Sequence, residues 1–179
     1  IAHFGSAPLA DAQAAWSIAG PDRKEVAAGE WPARTIPIGN GIPLGTIEWP
    51  LATAPAPARL VVTVSIKGTS YENSWDIWVY PTRVDTNAPA GVTIAEALDD
   101  AAVASLRAGG KVFLMPRLAS VKSNVPAGFS SIFWNTAWTR RQPPHTLGIL
   151  CDPKSPALAS FPTEFHSNWQ WWDIIAHSR

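Results

Sequence analysis

Arg59-Leu60-Val61-Val62-Thr63-Val64-Ser65-Ile66 runs into Lys67-Gly68-Thr69, and Tyr71-Glu72-Asn73-Ser74-Trp75-Asp76-Ile77-Trp78-Val79-Tyr80 follows. This stretch decides the fold class. The first segment is crowded with β-branched residues, which favour a strand. The second alternates, with Trp75, Ile77 and Val79 on one face and Ser74, Asp76, Trp78 and Tyr80 on the other, the period of two of a half-buried strand. Upstream, Leu44-Gly45-Thr46-Ile47-Glu48-Trp49, stopped by Pro50, reads as another strand, and so does Ala14-Ala15-Trp16-Ser17-Ile18, closed by the turn residues Gly20-Pro21-Asp22. Short strands divided by turn signals predict an antiparallel β-sandwich over residues 1–82.

Downstream of Pro81 the pattern changes. Residues 82–91 are polar, with Pro89 and Gly91, and read as a linker. The alanine-rich stretch from Ile94 to Leu106 predicts a helix, with Leu98, Ala102, Val103 and Leu106 at helical spacing and Asp99 and Asp100 in its first turn, where negative charge meets the helix dipole. Gly109-Gly110 stops it, and Lys111-Val112-Phe113-Leu114-Met115, ended by Pro116, predicts a buried strand. Helix, double glycine and apolar strand compose an αβ unit of a parallel sheet. Pro156-Ala157-Leu158-Ala159 predicts a short helix capped by Ser155. Residues 130–138 and 167–175 are too aromatic for periodicity to separate helix from strand. The expected class is mixed β and α/β: a β-sandwich domain over 1–82 and a small α/β domain over 83–179.

Composition narrows the function. The chain of 179 residues is 46% hydrophobic and 16% charged, with zero formal net charge. The charged share is low against an average of roughly 25%, and the neutral balance excludes long-range attraction to nucleic acid or an anionic membrane. No run of 18 apolar residues is present to span a bilayer. Seventeen prolines stand among ten tryptophans; disordered chains are poor in aromatics, so the prolines are expected at strand ends and in rigid loops. The start at Ile1, without methionine or signal peptide, suggests an excised or processed piece whose targeting signal lies upstream.

The familiar catalytic motifs fail on spacing. Gly39-Asn40-Gly41-Ile42-Pro43-Leu44-Gly45 is one residue too long for a dinucleotide loop and precedes no helix. Gly109-Gly110-Lys111 lacks the first glycine of a phosphate loop and has Val112 where a hydroxyl is required. Gly128-Phe129-Ser130-Ser131-Ile132 lacks the closing glycine of a nucleophile elbow. His145, Cys151, Asp152 and His166 match no zinc spacing, so neither a metal nor another cofactor is expected. The single cysteine, Cys151, lies in an apolar run and is expected to be a small buried hydrophobe. Glu164 and Asp173 are the best pair of carboxylates for glycoside hydrolysis, but capping and salt-bridging compete for both.

Two aromatic clusters remain. Trp134-Asn135-Thr136-Ala137-Trp138 and His166-Ser167-Asn168-Trp169-Gln170-Trp171-Trp172-Asp173 set indole faces beside amides and imidazole. Indole faces pack on sugar C–H groups, and the amides meet hydroxyls. The candidate carbohydrate-binding residues are therefore Trp134, Asn135, Trp138, His166, Asn168, Trp169, Trp171 and Trp172. The competing role for the tryptophans is core or interface packing, because Trp is highly buried on average.

At these residues the chain resembles the C-terminal accessory region of bacterial family 2 glycoside hydrolases, relatives of β-galactosidase and β-glucuronidase. The resemblance rests on Asn73-Ser74-Trp75-Asp76-Ile77-Trp78-Val79-Tyr80-Pro81, Ala108-Gly109-Gly110-Lys111-Val112-Phe113-Leu114, Gly128 to Thr136, Leu147 to Pro153 and Phe161 to Trp172. It implies an immunoglobulin-like sandwich, then a glutamine-amidotransferase-like α/β unit that is expected to be incomplete. It also implies a catalytic barrel elsewhere in the parent chain as partner, oligo- or polysaccharide as ligand, and a periplasmic or secreted location. The family's catalytic glutamates lie on that barrel, so none is carried onto this sequence. The expected role is a non-catalytic accessory module; the alternatives are an independent carbohydrate-binding module and a small stand-alone hydrolase.

Overall fold

The structure, a computed structural model, describes residues 1–122 and 149–177 of the chain. It divides into two compact units, Ile1–Thr82 with Lys154–Pro162, and Arg83–Pro153 with Thr163–Arg179.

In the first unit the strands are β1 (Leu9–Ala12), β2 (Ala14–Ala19), β3 (Glu25–Glu30), β4 (Arg34–Ile36), β5 (Ala58–Ile66) and β6 (Glu72–Val79). Among the described residues they make a four-stranded antiparallel sheet in the order β3-β2-β5-β6 and a two-stranded antiparallel sheet of β1 and β4. The β2–β3 hairpin turns where Gly20-Pro21-Asp22 predicts. Gly20 N donates to Lys24 O at 2.8 Å, and Asp22 Oδ1 accepts from Lys24 N at 3.0 Å, the local bonding that suits Asp to turns. The β5–β6 hairpin pairs Leu60 with Ile77 and Val62 with Trp75. Lys67-Gly68-Thr69 turns it, with Gly68 at φ 73°, the left-handed conformation that glycine adopts without strain.

Period two sends one face of this sheet inward. Ile18, Ala58, Leu60 and Val79 form one buried cluster; Ala12, Ala14, Ile36 and Ile66 form another. The segment from Ile42 to Trp49 corrects the sequence reading. Among the described residues it pairs with no strand, and it lies over the sheet: Ile42 and Leu44 pack on the second cluster, Ile47 and Trp49 on the first. Pro43 and Pro50 bound it, and proline brings no N–H to a ladder, so the segment covers a face instead of extending an edge. Strand β3 escaped the sequence reading because Glu25-Val26-Ala27-Ala28-Gly29-Glu30 carries little intrinsic strand preference; pairing with β2 imposes it.

In the second unit, β7 (Val92–Ala95), α1 (Asp100–Arg107) and β8 (Lys111–Leu114) compose a β-α-β element whose two strands pair in parallel. The helix is shorter than predicted. Ile94 and Ala95 belong to β7, and Asp99 is the N-cap, its carboxylate accepting from Ala102 N at 2.8 Å. Gly109, at φ 81°, ends the helix, and Gly110 N returns to Ser105 O at 2.8 Å. The strand expected to be buried is open: Phe113, Leu114 and Met115 are 57%, 44% and 53% exposed. Ser155 precedes a 3-10 turn at Pro156–Leu158 but makes no side-chain cap bond. The described chain is thus β-rich, with antiparallel sheets in its first unit and few helices.

Candidate functional site

The second unit presents the aromatic segment around Trp169. Chain 165–167 zips antiparallel to 149–151: Leu150 bridges His166, Cys151 N donates to Phe165 O at 2.8 Å, and Ser167 N donates to Ile149 O at 3.0 Å. Ser167 is buried, and its Oγ accepts from Ile149 N at 2.9 Å, so a buried hydroxyl is satisfied by the backbone it pins. Next comes a 3-10 turn, Trp169–Trp171, which passes into α2 (Trp172–Ala176).

Helical spacing then sorts the tryptophans. Trp169 and Trp172, three apart, share the outer face at 72% and 52% exposure. Trp171 and Ile175, four apart, turn inward. Ile175 is fully buried, and the half-buried Trp171 donates Nε1–H to Thr163 Oγ1 at 2.8 Å, the polar anchor a buried indole needs. The Trp169 and Trp172 rings lie 6.3 Å apart between centroids and are tilted by 42°. They form an open V, which offers one indole face at a time to a flat ligand.

The other expected residues take different places. Asn168 caps the turn, its Oδ1 accepting from Trp169 N at 2.8 Å, and its amide NH2 is a further donor. His166 is exposed beside the bridge. Trp171 is a packing residue in place of a platform. Trp134, Asn135 and Trp138 lie outside the described residues, as does His145. Asp173 stands in the first turn of α2, 3.4 Å from His177 Nδ1, the local role that competes with acid–base work. Cys151 is buried, with Sγ 3.5 Å from Ile149 O, as expected of a small hydrophobe. Among the described residues no three His, Cys, Asp or Glu side chains gather as a metal site. The sequence reading missed Thr163 and Ser167 as the residues that seat this segment; single hydroxyls carry no pattern that marks them.

Residues 1–81 match a domain of unknown function (DUF8488). Residues 93–179 match a second domain of unknown function (DUF8487). No curated protein matches the chain.

Proposed function

We propose that the chain is a non-catalytic accessory region of a carbohydrate-active enzyme of the family 2 glycoside hydrolase type, an immunoglobulin-like sandwich followed by an amidotransferase-like α/β unit. The observation that carries this reading is the open parallel pair. Ile94 on β7 and Phe113, Leu114 and Met115 at β8 are 44–57% exposed, whereas parallel strands are ordinarily covered on both faces. Such a surface suits a protein partner, and the resemblance to family 2 glycosidases supplies one, the catalytic barrel of the parent chain. The second reading, a carbohydrate-binding module, is favoured by the exposure of Trp169 and Trp172 next to the amide of Asn168.

The test is turnover of aryl β-galactosides, β-glucosides and β-glucuronides by the purified chain. The expected outcome is none above a buffer blank. Turnover that disappears in Glu164→Gln or Asp173→Asn would overturn the accessory reading.

A further inference from the structure

A second aromatic surface lies wholly within the first unit. The core face of β6 carries Asn73, Trp75, Ile77 and Val79 in alternation. At the Val79 end the overlying segment covers it, through Ile47, Trp49 and Ala54. Toward the hairpin that cover ends: Trp75 is 50% and Tyr71 55% exposed. Residues 1–5 stand opposite and close a cleft of about 610 Å³, floored by Leu44 and Ile66.

The opposite wall is held in place. Ile42 N donates to Ile1 O at 3.0 Å, and His3 and Gly39 exchange two backbone bonds of 2.7 Å. His3 Nε2 lies 2.9 Å from Ala7 O; a carbonyl only accepts, so Nε2–H is the donor there. Gly5 lets that ring sit close, since a Cβ at position 5 would fall 2.7 Å from His3 Cε1.

The lining selects a ligand class. Phe4, Tyr71 and Trp75 supply apolar faces, and Asn73, on the same face of β6 as Trp75, supplies a directional amide. Among the described residues Tyr71 and Trp75 make no side-chain hydrogen bond, and Asn73 uses only its Oδ1, toward Ser74 N. Asn73 is exposed, so its amide NH2 is open to solvent or a ligand. Among the described residues no Lys or Arg side chain lines the cleft, which disfavours phosphate. Its volume falls within the range for small-molecule sites, roughly 300–1,000 Å³.

We infer that this cleft binds a neutral oligosaccharide, with Trp75 stacked on a sugar face and Asn73 Nδ2 donating to a sugar oxygen. The inference rests on the cleft's own chemistry and stands apart from the resemblance to glycosidases and from Trp169 and Trp172.

The experiment is an NMR titration of the isotope-labelled chain with cellotetraose, xylotetraose, mannotetraose and β-1,4-galactotetraose. Saturable shifts are expected at residues 3–5 and 71–75 and at the Trp75 indole. Trp75→Ala should weaken binding about tenfold or more, which corresponds to about 1.4 kcal/mol. Asn73→Ala, at an exposed position that folding does not require, should weaken it several-fold. Three results would overturn the inference: no saturation with any of the four sugars, shifts at the Trp169 and Trp172 indoles in place of Trp75, or undiminished binding by both variants. Aryl glycoside turnover bears on the accessory reading alone, so the two fail separately.

Discussion

At the scale of single residues, two glycines hold indoles in place. Gly29 on β3 faces Trp16 on β2, and a Cβ there would come 2.8 Å from the Trp16 ring. The aromatic ring covers the strand where glycine leaves a gap, a cross-strand arrangement that restores packing. Gly45 does the same for Trp31: a Cβ at position 45 would fall inside the indole's van der Waals envelope. Trp31 packs against the cluster of Ala12, Ala14, Ile36 and Ile66, so its displacement is felt in the core. Gly45→Ala is expected to cost about 1–3 kcal/mol by overpacking, read as a lower urea midpoint with an unchanged slope. An unchanged midpoint would mean that the indole moves aside freely. Neither glycine was legible beforehand, because a close approach depends on a partner ring distant in sequence.

At the scale of elements, helix α1 shows which local signals carry. Asp99 and the double glycine were readable because a cap and a stop act on neighbouring backbone groups. Asp99→Ala removes the bond to Ala102 N and should cost about 1 kcal/mol; hydrogen exchange of the α1 amides would record it, and unaltered protection would refute a capping role. The buried face of α1 was less legible. Leu98 precedes the helix and is 61% exposed, while Ala102 is the fully buried contact. Of the four residues that periodicity named, Ala102 is buried and Val103 half-buried, while Leu98 and Leu106 are exposed, so the helix approaches through its smaller residues. The aromatic segment behaves similarly: the spacing of Trp169 and Trp172 puts them on one helical face, but their exposure depends on what covers that face.

At the scale of the molecule, the chain does not keep to one pass. Lys154–Pro162 belongs with the first unit, where Phe161 stacks on Tyr80 with centroids 5.6 Å apart and planes 17° from parallel. Such an offset pair contributes about 0.5–1.5 kcal/mol beyond the area it buries. Phe161→Ala should therefore loosen the first unit by about 1–2 kcal/mol, although 80 positions separate it from Tyr80. Amide exchange in β5 and β6 provides the check; exchange identical to wild type would show that the returning segment adds nothing.

Sequence alone determined the features whose causes are local: the strands Ala14–Ala19, Ala58–Ile66 and Glu72–Val79, the inward face of β6, the turns that end them, and the cap and stop of α1. Each follows from alternation, side-chain bonding to adjacent backbone, or glycine's freedom at positive φ. Tertiary structure alone decided the order β3-β2-β5-β6, the laying of Ile42–Trp49 over the sheet, the return of 154–162 and the cleft at the uncovered end of β6. The physical reason is common to all four. Burial depends on which surface arrives from elsewhere in the chain, and an alternating strand presents the same pattern whether its apolar face meets a core, a neighbouring segment or a ligand.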